Sequence, residues 1–420
     1  MLSAFQIAAL FLGLVAVVGI VNHRTLKLPP GVAMLLAGLI GALSVRGFGL
    51  ALPQFAASSS GLAQAMVAQV NFQDTVLGYM LAFLLFAGAM QVDFGEMRRR
   101  RLAIFSLATA GVLASTVIVG LGVHALASLL KLPLSLPYAF VFATLISATD
   151  PVAVLATVKH GGLSPRLTAV LQGEALFNDG VAIVVFTAAL AFATGAGAPH
   201  PVETLIEVGV SAFGGLAIGL AGGAAAVVAL RRLDDYPTEA AVTLACAMGV
   251  YALANALHVS GAIGAVAAGL LVGDRRIEAA DLPGRNYLRA FWILVDELLN
   301  AQLFLILGLQ VLVLPFDLRH WGLWLAAIPL ILLARLVSVL PWGAYFHLRE
   351  EERGANAILT WGGLRGALSL ALAFSLPPGA ARDAVISLTY AVVIFSVVVQ
   401  GLSFRRLAAR WRRMPLPEPT

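Results

Sequence analysis

The chain has 420 residues, of which 60% are hydrophobic and only 12% are charged. Ordinary soluble domains carry about 25% charged residues, so this composition excludes a soluble globular protein and predicts a polytopic membrane protein. A single cysteine, Cys246, excludes a disulfide framework, and the net charge of +5 requires no nucleic-acid partner because basic loops beside a membrane contact anionic lipid.

Apolar runs of about 20 residues predict membrane-spanning helices, and we predict an all-α protein with about thirteen of them. No soluble domain long enough to bury its own core is left between them. In chain order the helices cover roughly residues 4–21, 30–45, 74–92, 102–128, 136–158, 165–194, 203–230, 239–257, 260–273, 290–314, 321–346, 355–376 and 384–403.

The fifth predicted helix is interrupted by the segment Ser147-Ala148-Thr149-Asp150-Pro151. Proline lacks a backbone donor and displaces the carbonyl four residues earlier, which here is that of Ser147. A carbonyl freed inside a membrane must find another partner or a cation. The segment therefore predicts a broken helix with a polar centre.

The sixth predicted helix carries the most informative motif, which is Glu174 followed by Asn178 and Asp179 within an apolar run. At about 100° per residue, Glu174 and Asn178 lie roughly 40° apart, whereas Asp179 lies roughly 140° from Glu174. The two carboxylates are therefore not expected to share one ligand shell. An ionisable group at membrane depth marks an ion or proton path by default, and we assign that path to Asp179.

Glu174 needs a partner on another helix, and Arg335 in the eleventh predicted helix is the candidate. Removing one member of a buried ion pair strands a charge, at a typical cost of about 3–5 kcal/mol. We therefore predict a structural ion pair that joins the sixth and eleventh helices.

The twelfth predicted helix contains Gly362-Gly363-Leu364-Arg365-Gly366, where glycines that weaken a helix flank an arginine at membrane depth. Helices five and twelve are an odd number apart, so they cross the membrane in opposite directions. This arrangement predicts two inverted six-helix repeats whose broken helices cross near the midplane, where transporters often build ion sites. Asp150 and Arg365 are suited to offset the partial charges at the half-helix ends.

Basic loop residues give an independent prediction of topology, because Lys and Arg concentrate on the cytoplasmic side. With thirteen helices and a cytoplasmic C-terminus, most of the basic loop residues lie inside. The opposite side then holds only Arg46, Lys131, Arg319 and Arg382. We therefore predict a cytoplasmic C-terminus.

The polar motifs, taken in order, resemble those of the monovalent cation:proton antiporters, the bacterial and archaeal antiporters of the NhaP type that are related to the animal sodium/proton exchangers. The resemblance runs over most of the chain. The segments that carry it are Thr149-Asp150-Pro151, residues 173–180, Ser260-Gly261-Ala262, residues 268–273, Ala334-Arg335 and residues 362–367.

This resemblance implies a role for each matched polar residue. Asp179 is implied to bind the cation and the proton, with Asp150 and the Thr149 backbone close by. The other implied positions are Asn178 beside Asp179, a Glu174–Arg335 pair, and Arg365 at the second broken helix.

Two positions depart from the family pattern. Several relatives have serine where Ala175 stands, and some have an acidic residue on the third helix, where Leu85-Phe86-Ala87-Gly88 offers none. A backbone carbonyl or water is expected to replace the serine hydroxyl as a cation ligand.

The resemblance also implies a homodimer in which a core domain moves against a stationary interface domain. The interface domain is expected to comprise residues 1–100, with helices one to three, and 196–315, with a linker helix and the rest of that domain. The core is expected at 101–195 and 316–404, followed by a short basic and proline-rich tail at 405–420.

The expected activity is exchange of Na⁺, and also Li⁺, for H⁺ across the cytoplasmic membrane, with no cofactor and no soluble protein partner. Because Asn178 rather than a second aspartate precedes Asp179, one cation is expected to replace one proton in an electroneutral cycle. Exchange of K⁺ or of mixed cations is the alternative, and a cation channel is a remote one. An intramembrane enzyme is not expected, because the sequence has no His-Glu-x-x-His motif, no cysteine cluster and no nucleophile with its base.

Overall fold

The computed structural model describes residues 3–51, 72, 74–150, 163–195, 201–233, 235–278, 285–314, 321–350 and 352–412, and these ranges contain helices and loops without any β-strand. The helices are α1 (Ala4–Val21), α2 (Pro30–Ala51), α3 (Leu81–Met90), α4 (Phe94–Arg99), α5 (Arg101–Ser106), α6 (Val112–Leu129), α7 (Leu136–Ser147), α8 (Pro165–Ala193), α9 (Pro201–Leu230), α10 (Tyr236–Ala256), α11 (Gly261–Glu278), α12 (Arg285–Leu309), α13 (Trp321–Arg349), α14 (Ala355–Trp361), α15 (Ala367–Phe374), α16 (Ala380–Ile394) and α17 (Gly401–Arg412).

Wider helical turns join or extend several of these helices. A π-helical segment at Leu107–Gly111 connects α5 to α6, and another at Phe395–Gln400 connects α16 to α17. Similar segments extend α1 at Asn22–Leu26 and precede α3 at Asp74–Met80, and a short 3₁₀ turn at Gln310–Leu312 follows α12.

Within the described ranges, nine helical stretches are long and apolar enough to cross a membrane, and three shorter apolar helices accompany them. The predicted all-α membrane architecture is therefore confirmed. Many large apolar side chains also face outward, for example Phe5 on α1 and Phe213 on α9. An apolar outer surface suits a protein whose solvent is lipid hydrocarbon.

The fifth and twelfth predicted helices depart from a continuous helix at the two segments where the sequence predicts breaks. Helix α7 ends at Ser147, and Ala148 is already extended; Pro151 and the rest of that predicted helix, to 158, lie outside the described residues. The twelfth predicted helix is divided into α14 and α15 by the non-helical segment 362–366. Neither half is long enough to cross a membrane alone, because a span needs about 20 residues.

Close helix packing stiffens one part of the scaffold, where α2 crosses α12. A methyl group at Gly38 would lie 2.4 Å from the Leu305 carbonyl oxygen, and one at Gly308 would lie 2.4 Å from the Leu35 carbonyl oxygen. Only glycine permits such close contact between the two backbones.

Candidate functional site

Helix α8 carries the motif residues Glu174, Asn178 and Asp179 into the protein interior. Its start is well defined, because the Ser164 hydroxyl accepts a hydrogen bond from the backbone of Leu167 and Pro165 occupies the first turn. Two turns beyond that start, the side chains turn inward: Glu174 is 1% exposed, Asn178 is fully buried and Asp179 is 4% exposed. The helix thus places ionisable groups among apolar neighbours, where an uncompensated charge is costly.

The two helix breaks, one after α7 and one between α14 and α15, meet directly beside α8. The backbone N–H of Asp150, just beyond the end of α7, donates a 2.8 Å hydrogen bond to the carbonyl of Leu364, which lies between α14 and α15. This main-chain contact fixes the position of one break relative to the other. The predicted polar segments of the fifth and twelfth helices are therefore brought together.

Arg365 lies against the C-terminal end of α7. Its Nη1 donates to the Ser147 carbonyl at 2.8 Å and to the Ala148 carbonyl at 2.7 Å, and the side chain is only 2% exposed. The carbonyls at the end of a helix have no partner within that helix and carry partial negative charge. A guanidinium group therefore satisfies their hydrogen bonds and offsets their charge at the same time.

Asp150 occupies the complementary position at the N-terminal end of α15. A methyl group at Gly366, which precedes α15, would lie 1.6 Å from Asp150 Oδ2, so the carboxylate fills the space that glycine leaves open. The N-terminal end of a helix carries partial positive charge and attracts an anion. Asp150, at the first break, thus offsets the partial positive charge of α15, and Arg365, at the second break, offsets the partial negative charge of α7.

Asn178 and Thr149 connect α8 to the first break. Asn178 Nδ2 donates to Thr149 Oγ1 at 2.5 Å, and Thr149 is 2% exposed. Within the described part of the chain, the other end of the same amide, Asn178 Oδ1, is buried without a hydrogen-bond partner. Buried polar atoms are almost always paired, so an unpaired oxygen here indicates a position for a ligand that donates or carries positive charge.

Asp179 completes this group. It directly follows Asn178 on α8 and is 4% exposed. Of the residues that the sequence analysis assigned to the cation and the proton, Thr149, Asp150 and Asn178 therefore meet at the two breaks, and Asp179 is the next residue on α8.

Glu174 and Arg335 form a separate buried pair. Arg335 Nη2 donates to Glu174 Oε2 at 2.8 Å, and Nη1 contacts Oε1, which makes the interaction bidentate. Arg335 Nε also donates to the Leu359 carbonyl at 3.2 Å, so the pair ties α8 and α13 to α14. This bonding occupies both charged groups.

Sequence reasoning missed the hydroxyl groups that support the breaks. Ser396 Oγ accepts a 2.8 Å hydrogen bond from the backbone of Arg365, and Ser369 Oγ donates to the Leu145 carbonyl at 2.6 Å. Thr116 Oγ1 donates to Ser147 Oγ at 3.1 Å. The only signal was the presence of Ser and Thr in apolar helices, where such side chains often bridge neighbouring helices.

The two departures from the expected pattern are buried apolar positions. Ala175 and Ala87 are both fully buried. Neither side chain can bind an ion, so any ligands for a cation at this site come from other groups.

The sequence is similar to those of known membrane transporters over almost its whole length. The family model described as "Sodium/hydrogen exchanger, transmembrane" matches residues 12–410. The chain is 39% identical over 415 residues to the Na⁺/H⁺ antiporter NhaP of Pseudomonas aeruginosa, covering 96% of each chain. It is 34% identical over 400 residues to the Na⁺/H⁺ antiporter NhaH of Halobacillus dabanensis, covering 91% of this chain and 92% of the relative.

Among solved structures, the fold is similar to that of the sodium proton antiporter MjNhaP1 from Methanocaldococcus jannaschii at pH 8. The TM-score is 0.73 at 19% sequence identity, with 97% of this chain and 98% of that chain covered. Together with the family match, these similarities show that the chain belongs to the sodium/hydrogen exchanger family of membrane transporters, whose members move ions as substrates and are not enzymes.

Proposed function

We propose that the protein exchanges Na⁺, and also Li⁺, for H⁺ across the cytoplasmic membrane, and that the cation and the proton compete for Asp179. The observation that carries this proposal is that two consecutive residues of α8, beside the point where the two breaks meet, provide a buried carboxylate, Asp179, and a buried unpaired oxygen, Asn178 Oδ1. The names of the relatives, which are Na⁺/H⁺ antiporters, support the choice of ions.

Competition for one carboxylate accounts for coupling. A charged Asp179 in this apolar interior is penalised, and either a proton or a dehydrated cation removes the charge. Only a neutralised site crosses the hydrophobic barrier cheaply, because an uncompensated charge in the hydrocarbon region costs several kcal/mol. The empty, charged site therefore stays on one side until a new ion binds, and this makes the exchange obligatory.

Asp150 has a different function in this proposal. Its carboxylate compensates the N-terminal end of α15, as Arg365 compensates the C-terminal end of α7. One exchangeable carboxylate then carries either one cation or one proton. The proposed stoichiometry is one for one.

Electroneutral exchange predicts a rate that is independent of membrane voltage. Proteoliposomes containing a pH dye would receive Na⁺ or Li⁺ pulses while valinomycin and K⁺ set different voltages, and the initial rates of proton movement would be compared. If each cycle moved one net charge, a voltage of 100 mV would change the free energy of the cycle by about 2.3 kcal/mol. A rate that follows the imposed voltage would therefore rule out the one-for-one cycle, and parallel K⁺ pulses without valinomycin would rank the cations.

The unpaired Asn178 oxygen predicts a specific loss of cation affinity. Asn178→Ala removes a proposed cation ligand, and we expect the KM for Na⁺ to rise about tenfold, equivalent to the loss of one charge-assisted contact of about 1.4 kcal/mol. Initial rates at varied Na⁺ concentration measure this change.

A matched control for that variant is Asn300→Ala on α12. Asn300 is also a buried asparagine whose Oδ1 has no partner among the described residues. We expect its KM for Na⁺ to equal that of the wild type. Equal changes in both variants would contradict a ligand function for Asn178.

We also propose the domain division expected from the family, with residues 101–195 and 316–404 moving against residues 1–100 and 196–315 in a homodimer whose C-termini are cytoplasmic. The tight contact of α2 with α12 at Gly38 and Gly308 supports a rigid interface domain, because both helices belong to it. Native mass spectrometry of the detergent-solubilised protein tests the dimer, and a purely monomeric spectrum would count against it.

A further inference from the structure

A small cavity lies behind Arg365, on the side of the second break where α13 and α16 pack. Its volume is about 10 Å³, and its polar lining comes from Arg335, Thr360, Arg365 and Gln400. The rest of the wall is mainly apolar and comes from α13, from α16 and from the π-helical segment after α16. A cavity of this size holds about one water molecule.

Two polar atoms of the residues that line this cavity have no hydrogen-bond partner within the described part of the chain. They are Arg365 Nε and Thr360 Oγ1, and both are buried. Leaving a buried donor of a charged group unpaired costs more than leaving a neutral one unpaired. The structure therefore contains two unsatisfied groups on residues that line a space of the size of one water.

Neighbouring polar groups are already engaged elsewhere. Arg365 Nη1 binds the two carbonyls at the end of α7, and the Arg365 backbone N–H binds Ser396 Oγ. Arg335 is bonded to Glu174 and to the Leu359 carbonyl, and Gln400 Nε2 donates to the Trp361 carbonyl at 3.3 Å. None of these bonds reaches Arg365 Nε or Thr360 Oγ1.

We propose that this cavity binds one water molecule. The water accepts a hydrogen bond from Arg365 Nε and forms a second hydrogen bond with Thr360 Oγ1. A halide ion would also accept from a guanidinium group. Water fits better because the Arg365 charge already faces two carbonyl oxygens and the Arg335 charge is paired with Glu174, so an anion would gain little there. The water completes the hydrogen bonding of Arg365 and so holds its Nη1 on α7. This inference is independent of which ion the protein transports.

The sign of a stability change tests the proposal. Thr360→Val keeps the side-chain shape but removes the water's partner, and we expect the melting temperature of the full-length protein in detergent to fall by roughly 1–2 °C. Thr360→Ser retains the hydroxyl and should stay closer to the wild type. If the cavity is dry, Thr360→Val removes an unsatisfied hydroxyl, and the melting temperature stays constant or rises. That result would overturn the proposal.

Thr389→Val is the matched control. Thr389 is fully buried, its Oγ1 also lacks a partner among the described residues, and it lies on α16 but does not line the cavity. We expect no decrease in its melting temperature. If the melting temperature fell equally in both variants, the substitution itself would be destabilising, and the result would no longer support a bound water in the cavity.

A density map provides the direct test and does not depend on any variant. Cryo-electron microscopy of the wild type in lipid nanodiscs, at a resolution that shows ordered water, should show a peak within hydrogen-bond distance of Arg365 Nε and Thr360 Oγ1. The peak should persist in a gluconate buffer without halide. An empty cavity would refute the proposal. A peak that vanishes without halide would also overturn it, because it would show that the site binds an anion and not water.

Discussion

Asp179→Asn is expected to reduce cation-driven proton movement to the rate of protein-free liposomes. Asparagine has nearly the shape of aspartate but neither binds a proton in this pH range nor neutralises a cation, so the site loses the group for which the two ions compete. The measurement uses Na⁺ and Li⁺ pulses on proteoliposomes that contain a pH dye. The loss of activity should be complete, because no second exchangeable carboxylate is assigned.

Folding must be separated from transport in this experiment. Asp179 is buried without a charged partner in the proposed cycle, so the neutral asparagine should leave the melting temperature unchanged or raise it. Asp383→Asn, on the exposed first turn of α16, is the matched control and should exchange at the wild-type rate. Activity that survives Asp179→Asn in a well-folded protein would show that the proton and the cation use another site.

The second large effect concerns stability, and it is expected when either member of the Glu174–Arg335 pair is removed. Glu174→Gln leaves the Arg335 charge buried without a counter-charge, at a cost of about 3–5 kcal/mol in the free energy of unfolding. Both residues are at least 95% buried, so solvent does not screen the remaining charge. Unfolding in mixed micelles with increasing denaturing detergent measures the loss.

A double-variant cycle distinguishes a structural pair from two independent contributions. Glu174→Gln combined with Arg335→Met removes both charges and fills most of the volume, so we expect the double variant to be more stable than Glu174→Gln alone. It should also retain exchange, because the pair is separate from Asp179. Additive losses in the cycle, or exchange that disappears in a stable double variant, would contradict a purely structural function.

The extents of the broken helices show where hydropathy fails. Apolar residues continue after Asp150 in the sequence, so a hydropathy window of about 20 residues does not mark the end of α7 at Ser147. The twelfth helix has the same problem, since Leu364 is apolar but lies outside both α14 and α15. Hydropathy measures transfer into lipid and carries no information about the backbone conformation of a buried segment.

The sequence alone determined the properties that depend on neighbouring residues. Composition and apolar runs were sufficient for the all-α membrane class, and the polar and glycine segments around 147–151 and 362–366 marked the two breaks. The helical repeat was sufficient to place Glu174 and Asp179 on different faces of one helix, because side-chain direction follows residue spacing.

Only the tertiary structure decided which groups meet across the chain. Arg365 donates to the carbonyl of Ser147 across 218 residues, and Asn178 donates to Thr149 across 29 residues. No local rule selects those partners among the many polar groups of a membrane protein. The meeting of the two breaks does so, because it brings the C-terminal end of α7 within reach of Arg365 and the N-terminal end of α15 within reach of Asp150.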